Sequence, residues 1–280
     1  MNIHATYLNK LERKNYSANT IQTYLGCFKH YMRFCSERSL DPKTNYEQYI
    51  LWLVKKNYSL SSQNQAINAI KFYLEKIEGM DRILMNIDRP RKEKRIPEVL
   101  SKSEVKAILG SMRNVKHHAM LSLIYACGLR VGELINLKIT DINGKRKLLH
   151  IKKGKGFKDR SIPIPESVLI MLRTYYKEYK PVVYMFEGQP KKNSKTPTKY
   201  SNTSLRLILK RALIRSGIKR RITLHTLRHS YATHMYEHGI ELRSIQVLLG
   251  HSSSRSTEIY THVATKHLGS LPSPIDFLDD

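Results

Sequence analysis

Between Asp88 and Leu100 the chain reads DRPRKEKRIPEVL, and no helix or strand runs comfortably through it. Pro90 and Pro97 each lack an amide donor and push the residue before them out of the helical region. From Arg89 to Glu98 five cations stand against two acids, a charge density that resists burial. The chain is therefore expected to build two cores, one on each side of this break. That reading gives a helical unit over residues 1–88, a basic linker over 89–98 whose cations can reach phosphate, and a second unit over 99–280. At 280 residues there is enough chain for two cores.

The first unit is helical by period. Ile21, Tyr24, Leu25, Phe28, Tyr31, Met32 and Cys35 recur at i, i+3, i+4 and i+7. SLSSQNQAINAIKFYLEKI repeats the style, with Ala66, Ile67, Ile70 and Tyr73 on one face. Cys27, Cys35 and Cys127 sit among apolar residues and read as buried, reduced thiols of a cytoplasmic protein.

The second unit changes period in the middle. Leu100, Ser101, Glu104 and Val105 form a capping box with a hydrophobic staple, and HHAMLSLIYACG is a buried helix stopped at Gly128. LKITDINGKRKLLHIKKGKGFKDRSIPI then splits short β-branched runs at Asn143-Gly144 and at Gly154-Lys155-Gly156. Such spacing predicts three antiparallel strands joined by two turns. Helices are expected again at Ser167–Tyr176, Asn202–Ser216, His225–Glu237 and Leu242–Leu249. The fold class is mainly α with a small antiparallel β-sheet.

Charge narrows the partner. Lysine and arginine outnumber aspartate and glutamate 49 to 23, a net charge of +26. Residues 1–90 carry 13 − 8 = +5 and residues 91–280 carry 36 − 15 = +21, so the tighter polyanion contact belongs to the second unit. Double-stranded DNA fits this imbalance. A membrane does not, since no long apolar span, signal peptide or lipidation motif is visible.

Opening a DNA phosphodiester without a metal calls for a nucleophile, cations on the non-bridging oxygens, an acid for the leaving oxygen, and groups to handle the nucleophile's proton. Arg130 in CGLRVGEL follows a helix stop, where a turn can fix it. His225 and Arg228 in LHTLRH lie three apart on one helical face. Lys155 stands at a hairpin tip. His251 follows Gly250, and SSSRS can cap a new helix carrying Tyr260. On one unbroken helix the nine residues from His251 to Tyr260 would turn through about 900° and set the two on opposite faces. The break lets them converge.

GLRVGEL, GKG, HTLRH, LGH and IYTHV, in that order and at those intervals, resemble the signature of the tyrosine recombinases, also called the phage integrase family. The resemblance covers essentially the whole chain. It implies a helical core-binding (SAM-like) domain followed by a mixed α/β catalytic domain. It also implies roles: Tyr260 attacks the scissile phosphate to give a 3′-phosphotyrosyl link and a free 5′-hydroxyl, and Arg130 and Arg228 clamp the phosphate. Lys155 protonates the leaving 5′-oxygen, His225 assists the tyrosine's proton transfer, and His251 hydrogen-bonds the phosphate. Neither cofactor nor metal is required. The compact two-domain size is closer to Xer, transposon and integron integrases than to three-domain phage integrases. The implied assembly is a homotetramer on two DNA sites, with an accessory directionality factor as a further partner, at the bacterial nucleoid. Residues 264–280 form a tail, apolar at Leu268, Leu271, Ile275, Phe277 and Leu278, which the resemblance leads us to expect on a neighbouring subunit.

Several residues also have plainer readings. His225 and His229 at i, i+4 have zinc-ligand spacing but lack a third ligand nearby. His229 is expected to pack within its helix, His234 and His262 to be structural, and Glu133 to support Arg130. A DNA-binding regulator and a type IB topoisomerase-like enzyme are the alternative classes. A Tyr260-dependent adduct separates the first from an enzyme, and recombinant product from two sites separates the second.

Overall fold

The computed structural model describes residues 3–81, 97–152, 159–190, 196–250 and 255–261. Packing divides the chain into two compact units, Met1–Lys94 and Arg95–Asp280. Most of the expected linker, the Lys155 hairpin tip, His251 and the tail lie outside the described residues.

The described residues of the first unit form four helices: α1 (Ile3–Arg13), α2 (Ala18–Ser36), α3 (Tyr46–Lys55) and α4 (Leu60–Lys76). Ser17 and Ser59 begin α2 and α4 by accepting the Thr20 and Ser62 amides. The periodicity singled out these two; α1 and α3 escaped it because each buries only two side chains, Tyr7 and Leu11 in one and Tyr49 and Leu53 in the other. The core is aromatic. Tyr7 stacks on Phe28 at 4.2 Å, and Tyr31 and Tyr73 are buried in one cluster with Ala66 and Ile70. Burying a phenol requires a partner for its hydroxyl, and Tyr7 donates to the Ala69 carbonyl at 3.0 Å and Tyr31 to that of Pro42 at 2.7 Å. All three cysteines are free; Cys35 and Cys127 are buried, whereas Cys27 is only partly so.

The second unit runs α5 (Lys102–Gly110), α6 (Val115–Cys127), α7 (Val131–Asn136), a 3₁₀ turn at Ile139–Asp141, β1 (Ile142–Asn143), β2 (Leu148–Ile151) and β3 (Arg160–Pro163). It continues with α8 (Glu166–Tyr179), α9 (Asn202–Arg215), α10 (Leu224–Glu237), α11 (Leu242–Leu249) and α12 (Arg255–Glu258). The Ser101–Glu104 capping box opens α5 as expected. The helix α6 is buried nearly all round, from Ala119 to Ile124 and again at Cys127. Gly128 ends it at φ 58°, and a Cβ there would sit 2.6 Å from the Tyr231 ring, so glycine is required on both counts.

The sheet is antiparallel in the order β1-β2-β3, pairing Leu149 with Ile162 and Ile151 with Arg160. Leu149, Ile151 and Ile162 face the core. One helix end differs clearly from the sequence reading: α8 runs a turn further, to the left-handed cap at Lys180. Tyr260 also departs from expectation. It is not carried on a new helix but lies in the turn after the four-residue α12, with its amide bonded to the Thr257 carbonyl at 3.0 Å.

Candidate active site

Two helix C-termini and three arginines build the site. The last carbonyls of a helix have no partner within it and carry its negative end. At the end of α11 they are taken one by one. Arg160 Nε donates to the Leu248 carbonyl at 2.8 Å, Arg228 Nη2 to Leu249 at 2.7 Å, and Arg130 Nη2 to Gly250 at 3.0 Å. The end of α6 is held in the same way, with Arg228 Nη1 on the Gly128 carbonyl at 2.6 Å.

Glu133 sits at the centre of these cations. Its carboxylate receives both Nη atoms of Arg160 at 2.8 Å, Arg130 Nη1 at 2.8 Å and the Arg130 amide at 2.8 Å, with Arg228 Nη1 at 3.7 Å. Burial alone would raise its pKa, but Arg160 and then Arg130 reverse that and hold it at about 2. Three guanidinium charges less one carboxylate leave 3 − 1 = +2 in the cluster. Arg228 is 1 % exposed, and burial, reinforced by Arg130, lowers its pKa to about 10, so it stays charged at neutral pH.

Tyr260 packs against α10 and α11 in a small apolar cluster with Tyr231, Ala232, Ile245 and Leu249. It is 1 % exposed. Its hydroxyl lies 3.1 Å from His229 Nδ1. Burial raises the phenol pKa to about 12 while Arg228 and Arg130 pull it down. Burial, then His225 and Arg228, push His229 down to about 4, which leaves it neutral. His225 is at the rim, one turn earlier on α10, with its ring edge-on to His229 at 4.4 Å. Its pKa is lowered by desolvation, then by Arg228 and Arg130. Among the described residues no three His, Cys, Asp or Glu side chains converge as a metal ion would need.

Arg130, His225, Arg228 and Tyr260 are thus gathered in one place. Glu133 supports Arg130 as expected and Arg160 as well. Arg160 was missed, although a signal existed: it is in phase with buried Ile162 on β3 and with Ile164 just beyond the strand, on the inward face, where an arginine needs a buried partner. His229 does not simply pack within its helix, since it faces the phenol.

Two basic grooves flank the cluster. One of about 810 Å³ leads from Arg130 past Lys138, His150, Lys152 and Lys199. The other, about 830 Å³, leads from His225 past Arg206, Lys210, Lys219 and Arg221. No described helix is long and apolar enough to cross a membrane.

Known proteins resemble this chain in sequence and fold. Residues 98–267 match the Phage integrase family, and residues 5–82 match the Phage integrase N-terminal SAM-like domain. Tyrosine recombinase XerA of Pyrococcus horikoshii is 39 % identical over 268 residues, covering 94 % of this chain and 89 % of that protein. A tyrosine recombinase of Pseudothermotoga lettingae is 34 % identical, covering 88 % of each. A crystal structure of XerA recombinase superposes with a TM-score of 0.56 at 28 % identity, over 95 % of both chains. The fold is shared by XerH site-specific recombinase bound to palindromic difH substrate in a post-cleavage complex. There the TM-score is 0.67 at 20 % identity, over 98 % of this chain and 85 % of that one. With both units matched in order and a buried tyrosine set among arginines, this chain belongs to the phage integrase family, the tyrosine recombinases.

Proposed function

We propose that the chain breaks and rejoins DNA strands at specific sites through a 3′-phosphotyrosyl intermediate on Tyr260. The observation that carries this reading is the buried phenol of Tyr260, held within the field of Arg228 and Arg130. A phenol of pKa near 12 is a poor nucleophile at neutral pH, and fixed positive charge favours both the phenolate and the pentacoordinate phosphate it forms. Arg130 and Arg228 present planar forks suited to two phosphate oxygens. In the free chain those forks rest on helix-end carbonyls. A phosphate would replace carbonyls as acceptor, and Tyr260, at 1 % exposure, must be uncovered in the same event.

Lys155 as the acid for the 5′-oxygen, His225 in proton handling and His251 on the phosphate complete the reading; the motif supports these roles. The two cation-lined grooves suit a duplex backbone on either side of the scissile phosphate. Breaking and exchanging strands between two duplexes takes four active sites, hence a homotetramer on paired sites at the nucleoid, with the 264–280 tail on a neighbouring subunit. A directionality factor would set which product accumulates.

The test uses cells that express the chain. Protein–DNA complexes are recovered in denaturant with EDTA present, and the attached DNA is sequenced. Wild type should yield adducts at a defined sequence, linked to Tyr260 through a 3′-phosphate. Adducts of equal yield from Tyr260→Phe, or none from wild type, would overturn the reading.

A further inference from the structure

Forming the bond from Tyr260 Oη to phosphorus requires the phenol proton to leave, and a base must stand within hydrogen-bond reach of it. His229 does so, with Nδ1 at 3.1 Å from Oη. It is one residue past Arg228 and one turn past His225, its ring centroid 5.7 Å from that of Tyr260. It is half-buried, whereas His225 stands exposed at the rim and touches the His229 ring edge-on.

We propose that His229 is a catalytic residue, the acceptor of the Tyr260 proton during cleavage and its donor during rejoining. This rests on Tyr260 being the nucleophile. In the step, the Oη–P bond forms and the P–O5′ bond breaks. The phenol proton passes to Nδ1, giving an imidazolium, and the 5′-oxygen takes a proton from the general acid, assigned above to Lys155. Rejoining reverses each transfer, so no proton is lost over the cycle.

The surroundings suit a temporary holder. His229 is neutral in the free chain, held there by burial and by the charges beside it, and in its Nε2–H tautomer the Nδ1 lone pair accepts the phenol's hydrogen. It need not be a strong base. As Oη bonds to phosphorus the phenol becomes far more acidic, and transfer to a positioned imidazole turns downhill late in the step. The same cations then press the imidazolium to return its proton, which favours rejoining over a stranded adduct.

His229→Asn separates the roles, because the amide oxygen can sit where Nδ1 sits and accept a hydrogen bond but cannot take a proton. Adduct formation is timed on a nicked suicide duplex bearing the site recovered from cells, for wild type, His229→Asn, His229→Gln and His225→Gln. Each is made with tyrosine and with site-specifically incorporated 2,3,5-trifluorotyrosine at position 260, whose phenol is far more acidic. Thermal unfolding and duplex binding confirm that each variant is folded. His229→Asn should slow the tyrosine enzyme about a hundredfold, the scale of general base catalysis, and the trifluorotyrosine enzyme less than about tenfold. His229→Gln should show the same relief if the Asn variant folds poorly. Normal cleavage by His229→Asn, or an equal loss with both phenols, would overturn the proposal, as would relief seen only in His225→Gln. Absence of any wild-type adduct at Tyr260 would instead remove the reading on which it rests.

Discussion

In each unit of this protein a buried tyrosine is bonded to a histidine Nδ1, and these two pairs have different consequences. In the first unit Tyr49, 1 % exposed, lies 2.6 Å from His30; in the second Tyr260, equally buried, lies 3.1 Å from His229. Around Tyr49 burial and then the neighbouring thiols and Tyr58 all push the phenol pKa upward. Around Tyr260 burial pushes it up, but Arg228 and Arg130 pull it back to about 12. A His–Tyr pair is thus an ordinary way to satisfy a core hydroxyl. Positive charge within the same desolvated volume is what sets Tyr260 apart, and on the proposed reaction it is what would make that phenol useful.

The largest test of that contrast removes one oxygen from each pair. Tyr260→Phe should abolish the denaturant-resistant adduct on a suicide duplex while leaving duplex binding in place. Tyr49→Phe should form adduct at the wild-type rate in the same gel assay.

Next is the charge that distinguishes the pairs. Arg228→Lys keeps one positive charge but cannot hold the Gly128 and Leu249 carbonyls together in a planar fork. Loss of one such clamp costs about 3 kcal/mol in the transition state, on the order of a hundredfold in adduct formation. Single-turnover cleavage rates measure it.

Glu133→Gln tests what holds the cations in place. The folded Glu133 pKa of about 2 lies below its ordinary 4.5, so its contribution to stability is full above pH 4.5 and fades as pH falls toward 2. The shift corresponds to on the order of 3 kcal/mol. Thermal melts should show the variant well below wild type at pH 7, with the gap closing through that acid window. Among the described residues of the first unit no such carboxylate–arginine cluster acts on Tyr49, so His30→Gln should give a small and nearly constant deficit over the same range.

The smallest effect is the stability cost of Tyr49→Phe. It removes one hydrogen bond and leaves His30, at the edge of the core, able to find water. About 1 kcal/mol is expected by denaturant unfolding.

Local chemistry made much of this molecule legible in the sequence. The helix α6 could be read from its apolar run and its stop at Gly128, because a left-handed cap is a backbone demand that glycine alone meets easily. The three-stranded sheet followed from a period of two cut by turn residues, and Arg130, His225, Arg228 and Tyr260 from the order and spacing of motifs. Positions along one helix or around one turn are set by 3.6 and 2.0 residue repeats, so proximity within them can be counted off the chain.

What joins those pieces was settled only in three dimensions. Arg160, 27 residues from Glu133 and 88 from Leu248, ties β3 to α7 and to the end of α11. No repeat links those positions; they meet because β3, α7 and α11 converge on one core, and a buried arginine must find acceptors wherever packing puts them. His229 tells the same story. One turn of α10 places it near His225, which the sequence determined, but facing Tyr260 across 31 residues depends on how the turn after α12 folds back onto α10. That is a matter of tertiary packing, where desolvation and charge are decided by neighbours distant along the chain.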